Sequence, residues 1–339
     1  MTVRLKDIAD DLNLSKMTIS KVLRGQTDVS STTKARVLQR MKELNYRPNI
    51  HARSLRTGNT FSIGLVIPML SNSYYAELAR SLVQTVKIRN YGVMISSAEE
   101  DPEIERREIE LQLSRQVDAL VIATVQESPE FFAALGQQRS PVVLVDRKPP
   151  SFEAHFVGLR DQDIGYLAAR HLAELGCRKI AYLRGPRTAA ADLRWSGYRD
   201  ALDQFNLSFK PELVVDPGEM QPSEYQRGFD AMTRLLTRRV KPDGVMCYTD
   251  LLALGVIDSA LEKGLRVPID VAVIGCGDQP HLCGLRVSLS TISLSGEEVG
   301  RRVGRLVLRA LASNEPMPCR NVFVAPEVVP RQSTARAVK

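Results

Sequence analysis

The chain has 339 residues, 44% of them hydrophobic, with 21 glycines and 18 prolines, so a folded globular protein of two or three domains is expected. Its apolar runs are strand-sized, short of the eighteen or more residues of a membrane span, and the opening MTVRLKDIADDL lacks the apolar core of a secretory signal, which points to the cytoplasm and away from membranes. The net charge of +7 sits in residues 1–60, which hold 12 Lys and Arg against 5 Asp and Glu, whereas the remainder holds 34 of each. A compact basic module on a neutral body is the charge pattern of a phosphate-binding head.

Within that head, Leu5, Ile8, Ala9 and Leu12 recur at helical spacing, and Asn13 and Leu14 break the pattern. Ser15 is a good N-cap for a second helix that turns Ile19, Val22 and Leu23 inward and ends at Gly25. Ser30 can cap a third helix with Val37, Leu38, Met41 and Leu44 as its apolar positions. Three short helices with a tight turn between the first two describe a helix-turn-helix. The polar face of the second helix carries Lys16, Met17, Thr18, Ser20 and Lys21. At the start of a helix in the major groove, lysines can donate to guanine O6 and N7, and Met17 can pack on a thymine methyl. Thr18 and Ser20 suit phosphate oxygens. The segment NYRPNIHARSLRTGNT follows, in which Asn49 can cap a short helix bearing Ala52, Arg53, Leu55 and Arg56. So short a helix is marginal alone and would order on docking, with Leu55 as a wedge in a minor-groove base step. A plain linker is the alternative.

After residue 60, short apolar β-branched runs alternate with helical segments, beginning FSIGLVIPM, AELARSLVQTVKIRNYG, VMISSA and EIERREIELQLSRQ. The alternation restarts near residue 161 and runs to VAVIGCG. This predicts two similar α/β lobes, each a mostly parallel sheet covered on both faces. Ligands of such sheets bind beyond the carboxyl ends of strands. That rule selects Ser71, Tyr74 and Tyr75 after the first strand, Asp146 and Arg147 after PVVLV, and Asp250 after VMCYT. Aromatic rings can cover an apolar or sugar-ring face while charged groups orient polar ones. Any of these residues can equally be structural.

The strings LKDIADDLNLSKMTISKVLRG, VSSTTKARVLQRMKELNYRPN and ARSLRTG resemble the head and hinge of the lac repressor and purine repressor family of transcriptional regulators. The likeness continues through IGLVIPMLSNSYYAEL, PVVLVDRK, RWSGYRDAL, PDGVMCYTDLLALG and GLRVPIDVAVIGCGD to VPRQST, covering roughly residues 3–334. It implies an all-α helix-turn-helix head at 1–48, a hinge helix and linker at 49–60, a two-lobed α/β core at 61–334 resembling periplasmic sugar-binding proteins, and a tail at 335–339. Lobe one is expected at about 61–160 and 292–320, and lobe two at about 161–291 and 321–334. The resemblance further implies a homodimer that binds double-stranded pseudo-palindromic operator DNA, with a small effector in the cleft, usually a sugar, sugar derivative or other small metabolite, whose binding either releases DNA, the commoner sign among sugar-responsive relatives, or tightens it as a corepressor. It puts Lys16, Met17 and Lys21 at base-reading positions, Leu55 and Ala52 in the hinge at the minor groove, and Tyr75, Asp146, Arg147, Arg194 and Asp250 in the cleft.

Several positions depart from the family pattern. Arg160 and Asp161 stand where an Asp-Asn pair is frequent, Cys276, Gly277 and Asp278 replace an aromatic-Asp-Asp string, and Leu294 and Ser295 replace Gln-Pro. A cleft less acidic and less aromatic than usual is therefore expected. Arg160 at its mouth, unless it pairs with Asp161, Asp163 or Asp278, hints at an anionic effector. The five cysteines, 177, 247, 276, 283 and 319, match no metal pattern and read as free thiols. The four histidines form no metal or nucleophile motif and no cofactor fingerprint occurs, so catalysis is not expected. A secreted solute-binding module is the alternative, but it has no need of a basic head.

Overall fold

The computed structural model describes all residues except 1–2, 24–27, 47–53, 55–57, 127, 139, 150–151, 187, 217–222, 280–285, 314, 316 and 337–339. Two compact units emerge, Met1–Thr60 and Phe61–Lys339.

In the first unit, α1 (Leu5–Asp11) is closed at its start by the Asp7 carboxylate, which accepts the Arg4 backbone N–H at 2.7 Å. Asn13 adopts φ 56, the left-handed conformation that Asn tolerates, and turns the chain into α2 (Lys16–Leu23). Ser15 caps α2 by accepting the Thr18 N–H at 3.0 Å, and Ser30 caps α3 (Ser31–Glu43) by accepting the Thr33 N–H at 3.2 Å. Ile8, Ala9, Ile19, Val22, Val37 and Met41 make the core. Leu38, expected inside, is 47% exposed: neighbouring helical positions lie about 100° apart, and Val37 takes the inward one. Arg40 reaches Asp11, tying α3 to α1. The expected helix stop at Gly25 and the hinge residues Ala52 and Leu55 lie outside the described residues.

The second unit is built on two six-stranded sheets. The first contains β1 (Ser62–Ile67), β2 (Gly92–Ser97), β3 (Ala119–Ile122), β4 (Val142–Val145), β5 (His155–Leu159) and β11 (Asn321–Val324), in the order β11-β5-β4-β3-β1-β2 and all parallel. Its helices are α4 (Ser73–Lys87), α5 (Pro102–Ser114), α6 (Pro129–Gly136) and α11 (Gly296–Ala312). Alternation along the strands sends Leu65, Val121 and Val143 into the core with Leu78 and Val303, and Val66, Leu120 and Leu144 to the opposite face with Ile109, Phe132 and Leu135.

The second sheet contains β6 (Ile180–Leu183), β7 (Val214–Val215), β8 (Gly244–Cys247), β9 (Ala272–Gly277), β10 (Ser290–Ser293) and β12 (Glu327–Val329), in the order β12-β10-β9-β8-β6-β7, with β12 antiparallel to β10. It is covered by α7 (Asp161–Glu174) and α8 (Ala189–Gln204) on one face and by α9 (Glu224–Thr237) and α10 (Asp250–Glu262) on the other. The expected lobe boundaries need correction at two places. Residues 292 and 293 remain in lobe two, because β10 pairs with β9 as far as Ser293–Gly277. Residues 321–324 belong to lobe one, because β11 pairs with β5 from Asn321–Phe156 to Val324–Leu159. The chain thus changes lobes after residues 159, 293 and 324.

Candidate functional site

The outward face of α2 presents Lys16 and Met17, the latter 66% exposed. A single exposed apolar side chain is ordinary by itself, but here it stands beside Lys16 on the helix of the basic head. Lys21 is half-buried and pairs with Asp28. Such exposed ion pairs are worth at most about 1 kcal/mol, so the ammonium exchanges partners at little cost. The Thr18 hydroxyl lies 2.9 Å from that of Ser15 at the cap, and Ser20 is half-buried on the same helix. Lys16, Met17, Thr18, Ser20 and Lys21 therefore share one short helix whose opposite side, Ile19 and Val22, is locked in the core.

In the second unit, residues 68–72 lead from β1 into α4, with the Asn72 side chain accepting the Tyr74 N–H at 3.0 Å. This puts Tyr74 and Tyr75 in its first turn, buried, with their rings edge to face at 5.1 Å. Asp146 follows β4 in the left-handed region at φ 66 and accepts the Tyr75 hydroxyl at 2.7 Å. Burial and the Asp146 carboxylate hold the Tyr75 phenol well above its usual range, so it stays a donor. Arg147 turns aside to a two-pronged bond with Glu100 at 2.9 and 3.0 Å, leaving its Nε 3.9 Å from Asp146.

Arg194 comes from α8 and is 8% exposed. Its Nε donates to Asp161 at 2.8 Å, at the start of α7, and its Nη1 points to the Tyr248 carbonyl at 3.4 Å and the Cys276 sulfur at 3.6 Å. The guanidinium lies 4.4 Å from the centre of the Tyr248 ring. A close helix crossing creates this arrangement. A Cβ on Gly165 would lie 1.9 Å from the Arg194 carbonyl oxygen, and one on Gly197 would lie 1.9 Å from that of Gln162. Only glycine at both positions lets α7 and α8 approach until Asp161 and Arg194 meet. Burial raises the Asp161 pKa, as does Asp146, and Arg194 opposes them. Cys276 is pushed up to about 12, chiefly by burial, and so remains a thiol.

Tyr74, Tyr75, Asp146 and Arg194 thus converge at the strand ends, together with Asp161, Tyr248 and Cys276. Arg160 stands apart: it is exposed, with its guanidinium 5.5 Å from the Phe323 ring centre. Of the partners left open for Arg160, Asp161 pairs with Arg194 instead and Asp278 with Arg331. Asp250 is 1% exposed, and its carboxylate accepts the Thr291 hydroxyl at 2.6 Å and the Gln279 N–H at 3.1 Å. A Cβ on Gly275 would lie 2.3 Å from that carboxylate, so Asp250 is packed into lobe two, joining α10 to β10. Two further aromatic residues stand near Arg194: Tyr248, directly after β8, whose ring it covers, and Tyr182, buried within β6 and stacked on Trp195. Tyr182 was hidden by its place in an apolar strand pattern, whereas the strand-end rule could have found Tyr248, two residues before Asp250. His155 and His171 serve the returning chain: His155 Nδ1 accepts the Arg320 N–H at 3.1 Å, and His171 Nε2 lies 2.9 Å from the Thr334 hydroxyl.

Residues 4–49 match the family model for bacterial regulatory proteins of the lacI family, and residues 169–334 match that for a periplasmic binding protein-like domain. The chain is 30% identical over 334 residues to the HTH-type transcriptional repressor PurR of Mannheimia succiniciproducens, covering 98% of each. Among solved structures it is similar to the lac repressor dimer bound to operator and the anti-inducer ONPF, with TM-score 0.84, 23% identity, and 98% and 99% of the two chains covered. It is also similar to the transcriptional regulator CelR in complex with cellobiose, with TM-score 0.70, 25% identity, and 98% and 99% covered.

Proposed function

Because the chain belongs to the lacI family of bacterial regulatory proteins, we propose that it is a sequence-specific, non-enzymatic transcriptional repressor, a cytoplasmic homodimer whose hold on pseudo-palindromic operator DNA is set by a small metabolite in the cleft of its core. The observation that carries the DNA-binding half is the α2 face, with exposed Met17 between Lys16 and Lys21 on a head that holds all the excess positive charge. Lys16, Met17 and Lys21 read base edges, Thr18 and Ser20 contact phosphates, and the hinge residues Ala52 and Leu55 enter the minor groove. One head covers one half-site, so symmetric recognition takes two chains.

The effector half rests on the convergence of Tyr74, Tyr75, Asp146 and Arg194, with Arg147 at its edge, Asp250 as its support and Arg160 at its rim. The effector is a sugar or sugar derivative, a reading supported by the cellobiose complex of a structural relative. Binding between the lobes biases their relative angle and hence the spacing of the hinges, and release of DNA is the expected sign. Ligand and operator then oppose one another by the same factor in either direction. Selection of bound sequences from random DNA, with sedimentation of the free protein, tests the first half. A symmetric site and a dimer are expected, and a monomer indifferent to DNA overturns the reading. Titration of a bound sugar with and without operator tests the second, where equal affinities defeat the coupling.

A further inference from the structure

Two tyrosine hydroxyls, Tyr74 Oη and Tyr182 Oη, are buried and have no hydrogen-bond partner among the described residues. They come from opposite lobes, Tyr74 from the first turn of α4 and Tyr182 from β6, and their residues are 5% and 0% exposed. Tyr74 packs edge to face on Tyr75, the partner of Asp146, and Tyr182 stacks on Trp195, the neighbour of Arg194 in α8; burial raises both phenols and the Arg194 charge opposes it. Each also has a neighbouring tyrosine whose hydroxyl the fold does satisfy. Tyr75 donates to Asp146 at 2.7 Å, and Tyr198, stacked on Tyr182 at 5.3 Å, donates to the Ile180 carbonyl at 2.8 Å. Leaving a buried hydroxyl unpaired costs about 1–3 kcal/mol, and phenylalanine would fill the same space without that cost. Retention of a hydroxyl on both sides of one cleft calls for a partner that comes from outside the chain.

We propose that Tyr182, with Tyr74 opposite it, is a specificity-determining effector contact, the two hydroxyls donating from the two lobes to oxygen atoms of one neutral polyhydroxylated molecule. The inference rests on reading this cleft as the effector site. Neutrality follows from the local charges. Arg194 is held by Asp161, and Arg147 by Glu100 with Asp146 nearby, so neither guanidinium is left over for an added anion. A sugar hydroxyl can accept from a tyrosine and donate to a carboxylate at once, which matches both kinds of group present. Trp195 stacks on Tyr182 at 6.1 Å and is the chain's single tryptophan, so its fluorescence reports on this spot.

The test uses the full chain and its Tyr182→Phe, Tyr74→Phe and doubly substituted variants. D-glucose, cellobiose and D-gluconate are titrated against Trp195 fluorescence, and melting is followed without ligand. A neutral sugar should bind the parent protein more tightly than gluconate. Each single variant should melt at or above the parent temperature yet bind that sugar about 5- to 100-fold more weakly. Unchanged sugar affinity in the Tyr182→Phe variant overturns the proposal, and so does a lower melting temperature, which would show that the hydroxyl is bonded within the fold. If neither neutral sugar binds while operator binding persists, the effector class is overturned and the repressor reading stands. If the parent protein itself ignores DNA, it is the repressor reading that fails.

Discussion

Replacing Arg194 with methionine should expose how the cleft balances its charges. The Arg194 and Asp161 side chains are 10% and 15% exposed and 2.8 Å apart, so the pair is largely withdrawn from water. Removing one member of a buried pair strands the other charge and costs about 3–5 kcal/mol; the slight remaining solvent contact places this case near the lower end. The cost depends on pH. Burial already raises the Asp161 pKa, with Arg194 opposing, so loss of the arginine raises it further. A carboxyl whose folded pKa exceeds its unfolded one contributes stability at low pH and loses it as pH rises through the folded value. The gap between parent and variant should therefore narrow as pH falls from 8 toward 5. Combining Arg194→Met with Asp161→Asn should recover most of the loss, since no charge is left behind. Urea unfolding of the full chain, read by Trp195 fluorescence, measures all three proteins. A gap below about 1 kcal/mol at pH 8, or one identical at both pH values, would refute the claim that the pair is desolvated.

Other outcomes follow from the same geometry. Lys16→Ala and Lys21→Ala should each change the selected DNA sequence, at about 1–3 kcal/mol per lost base contact, while non-specific binding at low salt persists; an unchanged motif removes that lysine from the base-reading set. Gly197→Ala should lower the melting temperature by several degrees and mimic Arg194→Met in its pH behaviour, because the added Cβ would sit 1.9 Å from the Gln162 oxygen and must part α7 from α8. Burial, with the Arg320 charge, lowers the pKa of His155 from 6.5, and burial, with Arg170, lowers that of His171. The unfolded chain therefore takes up protons first as pH falls below 6.5, and stability of the core should decline from there. A His155→Asn variant should show a shallower decline in unfolding free energy between pH 7 and 5, and a curve as steep as the parent's would free His155 of that role.

Local periodicity was enough to read the three head helices, their Ser15 and Ser30 caps and the alternation of strands and helices in the core, because capping and amphipathicity involve residues within a turn or two of one another. The localisation of charge in residues 1–60 is likewise a property of the chain itself, and the strand-end rule picked out Tyr74, Tyr75 and Asp146. Which sheet a short strand joins is not local: β10 (Ser290–Ser293) and β11 (Asn321–Val324) are both four residues long, yet one pairs with β9 and the other with β5. The use of a charged side chain is no more local. Asp250 looks like a ligand group until Thr291, 41 residues on, donates to its carboxylate. From sequence Arg160 could have been the partner of Asp161, but Arg194, brought in by the Gly165 and Gly197 crossing, takes that carboxylate and Arg160 lies over the Phe323 ring. Tyr182 reads as core in a strand of buried residues, and only the packed tertiary structure stacks it on Trp195 and leaves its hydroxyl without a partner among the described residues. Satisfaction of a buried polar atom depends on groups distant in sequence, so packing decided it where helical and strand periods were silent.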